Sequence, residues 1–157
     1  MEYSLRDAKN TDLQIIRNLS VELSEKEAEE FDPTIDPEWN TQEDATKYFE
    51  ARITQEDGFA MVAEEDEEVV GYILGRLRNA EDYRTDLDIA ELETMYVKPE
   101  YRSQGIGTNF IQHFESWASE QNADRMRVEV TSQNEGGIQF YERNGLEDYA
   151  RIMEKNL

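Results

Sequence analysis

Tyr101-Arg102-Ser103-Gln104-Gly105-Ile106-Gly107 lies between an apolar stretch that ends at Val97-Lys98-Pro99 and an amphipathic run marked by Phe110, Ile111, Phe114, Trp117 and Ala118. This order describes a strand that turns into a helix. Glycines remove side chains where the backbone bends, so unpaired N–H groups at the helix start can close around a phosphate. Arg102 adds a fixed positive charge at the rim of that cradle. No Gly-Lys-Ser/Thr follows for a P-loop, and the strand comes too late in the chain for a dinucleotide fingerprint.

Outward from the turn, the chain punctuates itself clearly. Tyr3 and Leu5 alternate with polar neighbours, predicting a short first strand, and Leu13, Ile16, Leu19 and Leu23 then give a helical apolar face from Leu13 to about Leu23. Asp32 to Asn40, with two prolines between Phe31 and Trp39, reads as a structured loop before a second helix from Thr41 or Gln42 to Ile53. The apolar runs Phe59–Ala63 and Val69–Gly75, parted by the acidic stretch Glu64 to Glu68, predict an antiparallel hairpin. Further strands are expected over Ile89–Val97 and Arg125–Thr131, a helix over Gly136–Arg143, and a last strand through Tyr149, Arg151 and Met153. The reading is a single α/β domain over 1–157, a mixed sheet covered by helices.

Charge narrows the partners. Asp plus Glu total 37 against 16 for Lys plus Arg, a formal charge of -21 that repels a nucleic-acid backbone or an anionic membrane. Global charge of this kind favours a solvated, salt-suited surface over steering of cationic substrates. With no cysteine, disulfides, thiolate metal sites and a cysteine nucleophile are excluded together. The start of the chain lacks a basic region followed by an apolar run, and no later stretch reaches membrane-spanning length, so a cytoplasmic protein is expected. His113, the single histidine, falls on the polar side of the helix after the turn, and no metal-ligand spacing accompanies the carboxylates.

Two ordered motifs carry a resemblance. Arg102, Gly105 and Gly107 fit an Arg/Gln-x-x-Gly-x-Gly/Ala signature, approached by Leu92 to Tyr101, and Asn134 to Leu146 contains Tyr141-Glu142-Arg143-Asn144-Gly145-Leu146. The stretch from Leu92 to Leu146 resembles the GCN5-related N-acetyltransferase (GNAT) family, with Gly137 where alanine is common and Leu146 where phenylalanine is common. The resemblance implies a central, mixed, mostly antiparallel sheet flanked by helices, and acetyl-CoA as cofactor. It implies a pyrophosphate held by the backbone across Arg102, Ser103, Gln104, Gly105, Ile106, Gly107 and Thr108. It also implies a pantetheine arm paired along the strand of Met95, Tyr96 and Val97, with Asn134 hydrogen-bonding that arm or capping the next helix. Tyr141 falls where the family's tyrosine faces the sulfur, able to protonate the departing thiolate. Proteins of this kind often pair through sheet edges or C-terminal strands, so a homodimer is expected.

The acceptor side follows from acid–base chemistry. An amine of pKa about 10 is free in only about one molecule in a thousand near neutrality, so a proton acceptor is needed. Glu93 is the first candidate, on the face of Met95 and Val97 by strand alternation unless a bulge intervenes, with Glu91 as understudy. Phe31 and Trp39 either line an acceptor pocket, with Asp32 or Asp36 meeting a cationic amine, or pin the loop to the core. The leading expectation is an acetyl-CoA-dependent N-acetyltransferase working by direct transfer, since no cysteine can carry the acetyl group. The rivals are a non-catalytic acyl-CoA sensor and a phosphate-binding protein unrelated to CoA.

Overall fold

The computed structural model describes residues 2–157. Five strands, β1 (Ser4–Asp7), β2 (Gly58–Glu65), β3 (Glu68–Asn79), β4 (Asp88–Val97) and β5 (Arg125–Val128), lie in the order of the chain. The first four are antiparallel, and β5 joins β4 in parallel. Helices α1 (Leu13–Glu30) and α2 (Glu43–Thr54) cover one face, while α3 (Ile106–Glu120) covers the other and α4 (Glu135–Arg143) follows β5. This is the mixed sheet flanked by helices that the sequence predicts.

Two cores explain why β2 and β3 read as continuous apolar runs, for both faces of these strands are covered. Phe59, Met61, Ala63 and Ile73 pack with Phe110, Ile111 and Phe114 of α3. Val62, Tyr72 and Leu74 pack with Ile16, Leu19 and Phe49 of α1 and α2. Gly75 marks the tightest crossing: a Cβ there would lie 2.4 Å from Phe114 Cε1 and 2.6 Å from the Glu91 carbonyl oxygen. A main-chain atom cannot rotate aside, so Gly75→Ala is expected to destabilise the fold by about 2–3 kcal/mol, read as a lower urea midpoint at unchanged slope. A midpoint equal to wild type contradicts this packing.

Helix α1 continues seven residues beyond the last periodic leucine, because Glu25 to Glu30 are good helix formers with no apolar stripe of their own. Two expectations are corrected. Strand β5 stops at Val128 instead of Thr131. The C-terminal segment forms no strand: Ile152 and Met153 are 75% and 84% exposed, and the Tyr149 ring lies 5.7 Å from the Arg125 guanidinium and 5.2 Å from that of Arg127. Alternation makes a strand only where a neighbouring backbone is there to pair.

Candidate functional site

Strands β4 and β5 pair only from Ile89–Arg125 to Leu92–Val128 and then part. Beyond that point one side of β4 is open. The Lys98 N–H donates to the Val70 carbonyl at 2.9 Å, and strand alternation therefore turns the main-chain groups of Met95 and Val97 toward the opening. A cleft of about 540 Å³ fills this split, bounded by Met95, Tyr96 and Val97, by the glycine turn, and by the inner sides of α1 and α4.

The turn itself is built by backbone conformations that few residues adopt. Ser103 has φ +68° and Gly105 φ +90°, so the chain turns sharply at these two residues as α3 begins at Ile106. Among the described residues, the N–H groups from Ser103 to Thr108 have no protein acceptor outside the helix; that of Asn109 bonds the Gly105 carbonyl at 3.0 Å. The Arg102 N–H is already used on the Pro99 carbonyl at 3.2 Å, so the run of N–H groups without a protein acceptor starts at Ser103. Gly107 has a separate reason: a Cβ there would stand 3.1 Å from Phe140 Cζ, where α4 leans on the start of α3. An array of outward N–H groups at a helix start fits a diphosphate, and an open strand edge fits an extended amide-bearing chain.

Arg102, Ser103, Gly105, Ile106, Gly107, Thr108, Asn134 and Tyr141 all line the cleft with Met95, Tyr96 and Val97. The Arg102 guanidinium stands over the Tyr96 ring at 5.4 Å and donates from Nε to the Val97 carbonyl at 2.8 Å, so it braces the cleft wall. Gln104 does not join the lining; its side-chain amide donates back to the Tyr101 carbonyl at 3.2 Å. Asn134 both lines the cleft and caps α4, its Oδ1 accepting from the Gly137 N–H at 2.9 Å. Tyr141 stands edge-on to Phe140 with ring centroids 5.2 Å apart. Burial, then the nearby Glu27 carboxylate, push its phenol up to about 12, so it is a proton-bearing group at any ordinary pH.

Glu93 is elsewhere. Across β3 and β4 the register runs Leu74–Thr94 and then Gly75–Leu92, leaving Glu93 as the extra residue of a bulge. The bulge turns it off the Met95 and Val97 face toward α2, where Arg52 donates from Nε to Oε1 and from Nη2 to Oε2, the latter at 3.0 Å. The side chains of the pair are only 12% and 16% exposed. Glu91 is ion-paired without a hydrogen bond, with Arg78 Nε at 3.3 Å and Arg76 Nε at 3.6 Å. Neither glutamate lines the cleft.

Phe31 lines the cleft, but Trp39 is 42% exposed and packs on Tyr48 instead. Asn40 anchors their loop: it is buried, accepts from Ser20 Oγ at 2.8 Å and donates to Ser24 Oγ at 2.9 Å. Asp32 and Asp36 accept from the main chain of Thr34 and Glu38, each at 3.0 Å, as turn-forming groups. The connection from Asn79 to Asp88 folds around Glu81, which pairs with Arg84 at 2.6 Å and Arg127 at 2.9 Å. The sequence reading missed Glu27. It lines the cleft from the acidic end of α1, and burial, then Asp32, raise its carboxyl above the ordinary glutamate range. Its signal is the helical spacing Leu23, Glu27, Phe31, all on the cleft side.

The Acetyltransferase (GNAT) family pattern matches residues 17–146, and the chain belongs to this family. It is similar to the N-alpha-acetyltransferase of Sulfurisphaera tokodaii, 28% identical over 153 residues that cover 94% of this chain and 81% of that one. It is also similar to the bovine thialysine N-epsilon-acetyltransferase, 37% identical over 57 residues, 36% of this chain and 34% of that one. The chain thus spans about a third or less of the length of the first curated relatives it matches. The same fold is found in a predicted acetyltransferase from Clostridium acetobutylicum solved with acetyl-CoA, at a TM-score of 0.78 and 18% identity over 99% of this chain and 96% of that one. No helix of the described residues is long and apolar enough to cross a membrane, and none of their side chains cluster as a metal site.

Proposed function

We propose that this chain, as one domain over 1–157, is an N-acetyltransferase that moves an acetyl group from acetyl-CoA directly to a primary amine, of a small molecule or a peptide. One observation carries the reading: a single cleft is lined by Ser103 and Gly105–Thr108, whose N–H groups have no protein acceptor outside the helix among the described residues, by the open edge of β4 and by Tyr141. Acetyl-CoA supplies an activated acetyl thioester. Ser103–Thr108 hold its diphosphate, and Met95, Val97 and Asn134 hold the pantetheine amides. Tyr141 gives its proton to the departing sulfur, and the absence of cysteine leaves direct transfer as the route.

The test is release of free thiol from acetyl-CoA with a panel of primary amines, together with the thermal shift given by CoA. The relatives' names put an N-terminal peptide amine and thialysine in that panel. Thiol release that depends on one amine class supports the enzyme; no release and no thermal shift overturns the cofactor assignment. A second reading, a non-catalytic acyl-CoA-binding sensor, is favoured by the capture of Glu93 by Arg52, and it predicts the thermal shift without turnover.

The same proposal includes a homodimer. The unpaired outer edge of β5 and the exposed arm at Ile152 and Met153 support it, since both have pairing or apolar groups that a second copy can cover. Light scattering is expected to give the mass of two chains; a strictly monomeric chain at high concentration contradicts it.

A further inference from the structure

The chain has 37 acidic residues, and Glu27 is the single carboxylate among those lining the cleft. It projects from the last turn of α1 between Leu23 and Phe31, and its charge is felt by the Tyr141 phenol across the cleft. Among the described residues its carboxylate forms no ion pair and accepts no hydrogen bond. Glu93, by contrast, is clasped by two donors of Arg52. A carboxylate in a forked guanidinium pair is a poor proton acceptor, because protonation sacrifices that pair. A partly desolvated carboxylate without a cation is a good one, because its proton affinity lies nearer the working pH.

We propose that Glu27 is the catalytic proton acceptor: it draws the acceptor's ammonium group into the cleft and removes its proton, opposite Tyr141. This rests on the acetyl-transfer reading above. The ammonium gives one proton to a Glu27 carboxylate oxygen, which passes it to solvent. The nitrogen lone pair forms the C–N bond, and the C–S bond breaks with its electron pair going to sulfur. Tyr141 protonates that sulfur, and the second N–H proton, lost as the amide forms, restores the phenol. One ammonium and one thioester thereby give one amide, one thiol and one released proton.

The environment bears on the pH dependence. Lining the cleft with Glu27 are Lys26 of its own helix, Tyr96 of β4, Arg102 of the glycine turn, and Tyr141 and Arg143 of α4; Asp32 after the helix acts on its charge, and its charge acts on buried Tyr72 of β3. Burial is the largest influence and Asp32 the next; both raise the carboxyl. Protonated Glu27 cannot accept, so kcat/KM falls on the acid side through a limb that lies above the ordinary glutamate range.

Two readouts test the proposal. With the amine that the panel identifies, Glu27→Gln is expected to lower kcat/KM about 100-fold at neutral pH while the CoA thermal shift stays at the wild-type value. The acid limb gives way to a rate that climbs roughly tenfold per pH unit with the fraction of free amine. Glu93→Gln leaves the limb in place. Wild-type kcat/KM and an intact limb in Glu27→Gln overturn the proposal. The second readout needs no turnover. In protein isotope-labelled at glutamate carboxyls, the resonance lost in Glu27→Gln is expected to titrate above the other glutamates and to move when n-butylammonium is added, with and without CoA. If no amine is acetylated, the acetyl-transfer reading fails on its own, and this resonance still decides for Glu27: one that ignores n-butylammonium overturns its role.

Discussion

Tyr141→Phe is expected to lower turnover about a thousandfold while leaving the dissociation constant for CoA within about a factor of two. The substitution deletes one oxygen and keeps the ring that packs edge-on to Phe140. It leaves the N–H cradle at Ser103–Thr108 and the β4 edge untouched, so binding is spared. What disappears, in the proposed mechanism, is the proton for the leaving sulfur. Wild-type Tyr141 holds that proton firmly, its phenol pushed up to about 12 by burial and the Glu27 charge, and its oxygen has no protein hydrogen-bond partner among the described residues to divert it. General acid catalysis by one positioned group contributes about 100- to 10,000-fold, which sets the scale of the loss. Steady-state kinetics with CoA titration check the split. Full activity of Tyr141→Phe across the pH range removes the acid from the mechanism.

Gly105→Val is expected to weaken CoA binding by at least about 100-fold, for a reason that is not a clash. A Cβ at Gly105 would find its nearest neighbour, Tyr3 Oη, at 3.6 Å, an ordinary contact. The obstacle is φ of +90°, a left-handed conformation that a β-branched residue adopts only under strain of about 1–3 kcal/mol. The turn relaxes, and N–H groups that pointed together diverge. Each such bond to a charged phosphate contributes about 1.5–3 kcal/mol, so losing one or two accounts for the expected drop. Calorimetric titration of CoA measures it, with the thermal midpoint of the free protein showing that the variant is folded. A dissociation constant within threefold of wild type contradicts the role given to this turn.

The glycine turn, the half of the cleft proposed for the donor, was legible because its signals are local. A glycine that must take positive φ, an apolar strand before it and the stripe Phe110, Ile111, Phe114 after it report one turn within some twenty residues. The acceptor half depends on features that periodicity hides. One extra residue in β4 reverses the direction of every side chain past it, and nothing in Leu92-Glu93-Thr94 announces that the bulge falls there. Glu27 lies in a run of charged residues that is polar on all sides, so the apolar pattern ends at Leu23 while the helix continues to Glu30. At the C-terminus the opposite occurred: Tyr149, Arg151 and Met153 alternate like a strand, and no edge of this chain receives them.

Gly105 and Gly107 also show why a motif needs its structure. The sequence reading assigns both to one phosphate turn. In the fold, Gly105 supplies a backbone angle and Gly107 supplies room for Phe140, so the second glycine fixes how α4, and with it Tyr141, approaches the cleft.

The central claim is that Ser103–Thr108 and the open edge of β4 hold one ligand, and amide hydrogen exchange with and without CoA tests it most directly. CoA is expected to slow exchange at the N–H groups of Ser103 to Thr108 and at Met95 and Val97, leaving the β2–β3 turn at Asp66 and Glu67 unchanged. Unchanged exchange at the glycine turn under saturating CoA, or protection confined to other segments, would contradict the account.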